Sequence, residues 1–560
     1  MGINQSNLAL TGFDYVVAVT QDSINSALDY YLYEGLEEKT LCFVYNSSNI
    51  PMATCFKSFV EQVGTDPFSV PNNTPSTDPR VQALNNAAFA FAIKAKLGLP
   101  PGVPPTKLPD IIQLSPGQSA VTYTLLFSEF IGTQLIFGPR GSVTWFNEAQ
   151  PFGMAWCFSG NVSLDFQASS FANLPPDVQK RLNGLGNQEE FSVQQLYYDL
   201  NSSDLEQQFQ FVDSPMNSAL NTFMTADFIN TYWKALGGNE VLGYGAKRIA
   251  NVSSSGLAVT NLNFFVPNAV GNEAAPLTLN YLCATNNDVL PATTHANFGW
   301  NWIEPNEVAS YDGAAALNRK TFAGYIGNAL ASYMKNNCLS PFVRVWLKGA
   351  IPKYSWSMTA GQTPTVSIPD SGEVILSVSY EADSKDQAGS DGDLGKMELS
   401  TSYSLNASVS GSQITVVQHL VIYVYIKHLA TSASGNVVDI QIIDTYSLGI
   451  DVNGTLKVDK HLPETTNNSK DPKANDFLNF WADVNKIISD VATWAQSIAS
   501  TNLQTVPIAA VQNFVFPGGA TFTFTDVGFS DGQDLVSHIA YVSTANLNQQ
   551  QARAEGGKRS

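Results

Sequence analysis

Asp471-Pro472-Lys473-Ala474-Asn475-Asp476-Phe477-Leu478-Asn479-Phe480-Trp481-Ala482-Asp483-Val484-Asn485-Lys486-Ile487-Ile488 opens a stretch that runs to Asn502, and the rest of the chain can be arranged around it. The Asp471 side chain can cap a helix, and Pro472 at the first helical position gives up no needed donor. Apolar residues then fall at Phe477, Trp481, Val484, Ile488, Val491, Ala495 and Ile498, spaced by four and three, with Phe480, Ile487 and Trp494 beside them. At 3.6 residues per turn they fill an arc of roughly 140°. Asn479, Asp483, Lys486, Asp490, Thr493 and Ser497 take the opposite side. After Pro472 no Gly or Pro interrupts until Pro507. The pattern predicts one continuous helix, roughly 45 Å long, which needs an apolar partner of similar length. Its apolar face serves either as core or as the wall of a groove. In the second case Phe477, Trp481, Val484, Ile488 and Val491 are the candidate ligand-binding residues.

The partner is legible upstream. From Glu373 the apolar pattern changes to period two. Val374, Leu376, Val378 and Tyr380 alternate with smaller or polar residues, apart from Ile375, and Tyr403, Leu405, Ala407 and Val409 alternate with Ser402, Ser404, Asn406 and Ser408. These are half-buried strands of an antiparallel sheet. Asp383 to Lys396 between them reads as a charged, Gly-containing loop. Leu420 to Ile426 is apolar on both faces, and Val437 to Ile443 and Leu448 to Val452 continue the meander. Beyond the long helix, Phe522 and Phe524 alternate with threonines, and Leu535 to Val542 closes the fold. The expected class is α+β: strongly curved antiparallel sheets wrapped around long amphipathic helices, in two halves. The halves span 1–305, with helical insertions, and 306–545, with a disordered tail over 546–560.

The amino-terminal half is less regular. Tyr15 to Val19 reads as a buried strand. Ile24, Ala27, Leu28, Tyr31 and Leu32 follow on one helix face, capped by Thr20 or Asp22. Leu41 to Tyr45 reads as a strand, 64–79 as a loop, and Arg80 to Leu97 as an Ala-rich helix. Leu99 to Pro109, with five prolines, reads as an extended connector. Val121 to Phe127 and Gln134 to Phe137 read as strands. Leu174 to Leu205 reads as helical in pieces, one of them capped by Ser192 with Val193, Leu196 and Tyr197 on a shared face. Asp213 to Leu236 holds a further helical pattern. Val259 to Val266 and Leu277 to Cys283 read as strands. Phe322, Ile326, Ala329, Leu330 and Tyr333 mark another helix. Phe298-Gly299-Trp300-Asn301-Trp302 is the densest aromatic cluster, and packed core is favoured over a ligand platform.

Composition excludes several classes. Charged residues make up 14% of the chain and the net charge is −19. Such a chain repels a nucleic-acid backbone unless it has a basic patch, and its cations come at most as adjacent pairs such as Lys180-Arg181. Charge-driven binding to an anionic bilayer is expected to be weak, so contact is expected to be local and apolar, or through basic partners. Cys42, Cys55, Cys157, Cys283 and Cys338 are odd in number and scattered, which predicts free buried thiols and a reducing compartment. No apolar run reaches the length of a membrane span, and the first residues lack a basic segment followed by an apolar one. The expected location is therefore the cytoplasm at synthesis, with release by a non-classical route left open. Met1-Gly2-Ile3-Asn4-Gln5-Ser6 matches a myristoylation pattern, with chance the favoured explanation. His295, His419, His428, His461 and His538 lack zinc-ligand spacing, and no G-x-S-x-G elbow occurs. Gly389 to Lys396 departs from a phosphate loop, and Asp391-Gly392-Asp393 lacks the remainder of a calcium loop. No catalytic residue, metal or cofactor is assigned, and a non-enzymatic role is expected.

Three segments carry a family resemblance. They are Val17-Ala18-Val19-Thr20-Gln21-Asp22-Ser23-Ile24-Asn25-Ser26-Ala27-Leu28, then Phe298 to Trp302 followed by Asp312-Gly313, and then Phe516-Pro517-Gly518-Gly519 through Phe524 with Asp534-Leu535-Val536, His538-Ile539 and Tyr541. With them the chain resembles the TULIP (tubular lipid-binding) superfamily. Within it the chain looks like the forty-seven-kilodalton and OrfX-type companion proteins of clostridial neurotoxin gene clusters. The resemblance implies a long helix wrapped by a curved sheet, an apolar groove holding lipid or another hydrophobic molecule, and protein partners in a toxin-associated complex. It supplies no position-specific ligand contact. The competing readings are a structural or assembly protein that binds partners through aromatic surfaces, and a β-rich hydrolase.

Overall fold

The computed structural model describes residues 2–33, 38–104, 107–118, 120–139, 142–184, 191–199, 208–212, 222–224, 240–248, 257–271, 275–470, 486–487, 489–491, 499–503, 514–517 and 521–542. These residues form mostly antiparallel sheet with few helices, and one sheet is a strongly curled half-barrel.

The sheet that joins the two ends of the chain has the strand order Val259–Phe265, Thr278–Thr285, Tyr15–Thr20, Gly313–Leu317, Leu535–Val542 and Thr521–Phe524. Tyr15–Thr20 lies at its centre, with Val17 opposite Tyr281 on one side and Ala315 on the other. All six of its residues are buried. Val17 and Val19 face the main core, whereas Val16 and Ala18 face a second core containing Phe13, Phe298, Trp300 and Trp302. The aromatic cluster is thus packed interior, with Phe298 and Trp302 edge to face at 4.9 Å. Gly313 is required here, because a Cβ would sit 2.1 Å from the Ala18 carbonyl oxygen. Helix Gln21–Tyr33 follows the central strand, and Thr20 Oγ1 accepts from Ser23 N at 3.2 Å as its cap.

Asp534 ties the two ends together. It is fully buried and accepts from Ser6 Oγ at 2.7 Å, Leu8 N at 2.6 Å and Arg319 N at 3.1 Å. Burial pushes its carboxyl above the usual range, and those three donors oppose the shift.

An eleven-stranded sheet occupies the amino-terminal part. Its main path is Val515–Pro517, Glu240–Arg248, Phe191–Asp199, Ala155–Ser169, Ala120–Phe137, Phe89–Leu97, Lys39–Tyr45 and Pro51–Thr54. Three sequence expectations change here. Arg80 to Leu97 is not one helix. Helix Pro79–Asn86 ends at Ala87, Ala88 turns at φ 52°, and Phe89–Leu97 is a strand. That strand is buried on both faces, Phe89 and Ala92 toward a cluster with Trp145 and Phe91 and Ile93 toward the main core, so its sequence shows no period of two. The segment read as capped by Ser192 is the strand Phe191–Asp199, paired on both sides. Its true alternation is buried Phe191 and Val193 against exposed Ser192, and the Val193–Leu196 spacing only imitates a helix face. The two strands read around Gln134 are one, Ala120–Phe137. Of Asp213 to Leu236, only 222–224 falls within the described residues, and there it is helical.

The long meander follows Glu373. Its order is Thr365–Ser367, Val374–Ala388, Gly395–Ser410, Gln413–His428, Thr431–Ile450 and Leu456–Lys460, with Glu464–Asn467 also on Thr431–Ile450. Asp383 to Lys396 is therefore not a loop. Pairing continues through Asp383↔Ser400, Lys385↔Glu398 and Ala388↔Gly395, leaving only the turn between. The polar side chains there line the exposed part of the ribbon, while the backbone ladder is satisfied by its neighbour. Helix Arg319–Asn337, capped by Asn318 on Lys320 N at 2.8 Å, packs against Val374–Ala388 with Gly327 beside Leu376. The separate hairpin Ser340–Lys348 and Ile351–Thr359 lies beside it.

None of the cysteines forms a disulfide. Cys42, Cys157, Cys283 and Cys338 are buried, but Cys55 is exposed, contrary to expectation. Among the described residues no helix is long and apolar enough to cross a membrane. Of the predicted helix Asp471 to Asn502, Lys486, Ile487 and Ser489 to Val491 are described and helical, and 499–502 follow as irregular chain. Phe477, Trp481, Val484 and Ile488 lie outside the described residues, as does the question of one unbroken helix.

Candidate ligand-binding face of the meander

The inward face of the four long strands follows from strict alternation. Along Gln413–His428 every second residue is buried: Ile414, Val416, Gln418, Leu420, Ile422, Val424, Ile426 and His428. Gly395–Ser410 adds Met397, Leu399, Thr401, Tyr403, Leu405 and Ala407, and Thr431–Ile450 adds Val438, Ile440, Ile442, Asp444, Tyr446 and Leu448. The register sets Val424 beside Leu399 and Leu420 beside Tyr403 and Ile440. From Leu420 to Ile426 the row is wholly apolar for about 20 Å.

Apart from Thr401, which lies opposite Ile422 and donates to the Leu339 carbonyl, and His428 at the strand end, polar side chains interrupt this face at one level. Asp444 is fully buried. It accepts from Thr501 N and Thr501 Oγ1, each at 2.8 Å, and from Ser500 Oγ, and it pairs with Lys460 Nζ at 3.0 Å. Tyr446 Oη and Thr501 Oγ1 share a hydrogen bond of 2.7 Å, and burial pushes the Tyr446 hydroxyl up to about 12. Gln418 Nε2 donates to the Ala499 carbonyl at 3.2 Å, and its Oε1 accepts from Tyr403 Oη at 2.9 Å. This network fixes residues 499–501 onto the face. At the other end, Asn468 N donates to the Asp439 carbonyl and Lys470 N to the Asn436 carbonyl. Both flanks of the 471–498 segment are thus attached to strand Thr431–Ile450. Within the segment Val491 is fully buried in the same core, Ile487 packs against it, and Lys486 and Asp490 are exposed. Of the five candidate residues, Val491 alone is described.

Gln418, Asp444 and Lys460 were not among the candidates. Their signal was present, since Gln418 and Asp444 break otherwise apolar alternate rows. Thr501, the partner of Asp444 and Lys460, lies 57 residues from Asp444, and Ala499, the partner of Gln418, lies 81 residues from Gln418; no local pattern reports either.

Two other places bring polar groups together. A polar cleft of about 400 Å³ opens beside the start of helix Arg319–Asn337, lined by Asp14, Thr285, Asp288, Lys320, Thr321 and Asn328 among others. The Asp14 carboxylate is already engaged there by Thr285 N and Oγ1 and by Thr321 Oγ1. In the joining sheet His538 Nδ1 meets Asp526 at 2.6 Å while Tyr311 stacks on the ring at 4.1 Å. His538 Nε2 is buried without a hydrogen-bond partner, and the carboxylate of Glu307 stands 3.8 Å away. This geometry places an acid, not a hydroxyl or thiol, next to the nitrogen that would serve a nucleophile. Among the described residues no group of three His, Cys, Asp or Glu could hold a metal ion. His419 pairs with Asp439 at 2.8 Å, and His428 lies beside Tyr354 at 3.2 Å.

No family model and no curated protein matches the chain. By structure it is similar to P47 from Clostridium botulinum A2, at 10% identity and TM-score 0.40 over 94% of this chain and 97% of that one. It is similar to P47 of Clostridium botulinum E1 at 9% identity and TM-score 0.42, over 94% and 98%. It is also similar to a lipopolysaccharide binding protein at 10% identity and TM-score 0.26, over 95% and 100%. These likenesses are loose and give no residue-level correspondence.

Proposed function

We propose that the chain binds a lipid or another hydrophobic small molecule, without catalysis, between the inward face of the meander and the segment Asp471–Asn502. In this reading the segment lies as a long helix inside the curl of the sheet, and Phe477, Trp481, Val484, Ile488 and Val491 form the facing wall. The observation that supports it most is the apolar row from Leu420 to Ile426, flanked by Leu399 and Ile440, on the sheet to which both flanks of the segment are attached. A bound chain gains about 0.8 kcal/mol per buried CH₂, so ten carbons supply about 8 kcal/mol before ordering costs. The polar network at Asp444 closes one end of the row, because its donors and acceptors are occupied by residues 499–501. Resemblance to companion proteins of toxin clusters suggests that the cargo is carried within a toxin-associated complex.

The test is uptake of a fluorescent fatty acid or phospholipid, with native mass spectrometry of the gently purified protein. Val484→Trp is expected to narrow the groove and reduce uptake while costing roughly 1–3 kcal/mol of stability. Wild-type protein that takes up no hydrophobic probe refutes the reading and leaves the structural or assembly protein that binds partners in front.

A further inference from the structure

We propose that the hairpin Ser340–Thr359 docks the protein on a phospholipid bilayer, its outward face entering the headgroup region. The two strands pair over nine residues, from Ser340↔Thr359 to Lys348↔Ile351. Gly349, at φ 67°, starts the two-residue turn. Alternation gives the hairpin two unlike faces. The inward one is anchored. Val343, Val345 and Pro352 are buried, and Val343 N donates to Ser384 Oγ at 3.1 Å. Val345 N donates to Asp386 Oδ2 at 2.6 Å, and Tyr354 Oη to the Lys427 carbonyl at 2.7 Å.

The outward face carries Phe342, Arg344, Trp346, Lys348, Ile351 and Lys353. Phe342 is 59% exposed, Trp346 40% and Ile351 53%. Register places Lys353 directly across from Trp346, and Arg344 and Lys348 flank it along the strand. One indole is therefore surrounded by three cations. In sequence, Gly313 to Pro369 holds six Lys or Arg and no Asp or Glu, in a chain of net charge −19, although Arg319 is buried and Lys320 pairs with Asp370. Other highly exposed apolar side chains, such as Leu10, Phe152, Val289 and Leu462, are scattered along the chain.

This combination matches a bilayer interface better than a protein partner. Trp favours the headgroup level, and Lys and Arg lay apolar stems along the interface while their charged ends reach phosphate. Protein interfaces are depleted in Lys. Asp386 lies along the hairpin's edge, and the turn containing Asp391 and Asp393 leads to Gly395, which sits against Pro352. These acids weaken the charge contribution, so the indole and aliphatic groups carry most of the binding. The remaining negative charge acts only within about a Debye length, roughly 10 Å.

The measurement is flotation of the full chain with phosphatidylcholine vesicles, with and without about one third phosphatidylglycerol. Wild type is expected to float with both and better with the anionic mixture. Trp346→Ser should lower the bound fraction about tenfold on either vesicle. Lys348→Glu should lower it about threefold, on the anionic vesicle only. Leu462→Ser, the loss of an even more exposed apolar side chain elsewhere, should leave it unchanged. Both hairpin side chains are exposed, so melting temperatures should match wild type. Wild type that floats with neither vesicle, or Trp346→Ser that floats like wild type, overturns the docking role. Docking does not depend on the groove. Uptake of a soluble fatty-acid probe without flotation overturns docking alone, and flotation through Trp346 without uptake overturns the groove alone.

Discussion

Strand Gln413–His428 of the meander and strand Tyr15–Thr20 of the joining sheet both belong to antiparallel sheets, yet they bury their side chains differently. The first alternates buried and half-buried residues along nearly its whole length, with Ile422 inside and Val421 and Tyr423 half-exposed. The second is buried at every position, because Val16 and Val17 enter different cores. A strand with one wet face records its geometry in its sequence. A strand between two cores records only that it is apolar, which a buried helix segment also does.

The largest expected effect lies where the wet-faced strands carry a polar residue inward. Asp444→Ala removes the acceptor of Ser500 and Thr501 and leaves the partly buried Lys460 ammonium without its carboxylate, bonded only to Ser500 Oγ and the Thr501 carbonyl. It should cost about 3–5 kcal/mol in urea unfolding. Thr445→Ala, one residue on and facing outward, should cost less than about 0.5 kcal/mol. Equal costs at the two positions would mean that the face distinction carries no energy at this level.

A paired scan tests the contrast between the strands directly. In the meander, Ile422→Ala should cost about 3 kcal/mol and Val421→Ala under about 1 kcal/mol. In the joining sheet, Val16→Ala and Val17→Ala should each cost about 2 kcal/mol, because both leave cavities in packed interiors. The readout is the urea midpoint at constant slope. If Val16 and Val17 differ as strongly as Val421 and Ile422, one of the two cores is not tightly packed.

The same distinction accounts for what could be read from the sequence. Most of the wet-faced strands from Glu373 onward were legible, as were the helices around Ile24 and Phe322, whose amphipathic spacing agrees with a side-chain cap; Val437 to Ile443 and Leu448 to Val452, read as two strands, fall largely on the single strand Thr431–Ile450. Phe89–Leu97 was not legible, because burial on both sides erased the alternation. The ribbon Asp383 to Ala388 was read as a loop because its side chains are charged. What keeps it a strand is pairing with Glu398 to Ser400, which side-chain polarity does not reveal. At the candidate face the apolar rows were visible. The Gln418–Asp444–Thr501 network was not, because it joins residues far apart in sequence across a sheet whose register must be known first.

The smallest effect marks the junction where helix and strand were confused. Ala88 stands between helix Pro79–Asn86 and strand Phe89–Leu97 with φ at 52°, in the left-handed region. An L-residue there costs roughly 1–2 kcal/mol, which Gly escapes. Gly also has more freedom in the unfolded chain, a cost of roughly 0.5–1 kcal/mol. The difference favours Gly, so Ala88→Gly should stabilise the protein by a few tenths to about 1 kcal/mol, seen as a small rise in melting temperature. If residues 80–97 formed one helix, the same substitution would fall in a helix interior and destabilise by about 1 kcal/mol. The sign of the change therefore distinguishes the two arrangements. The alanines that suggested a helix belong to two elements, and the bend between them is made by a residue that sequence preference alone assigns to neither.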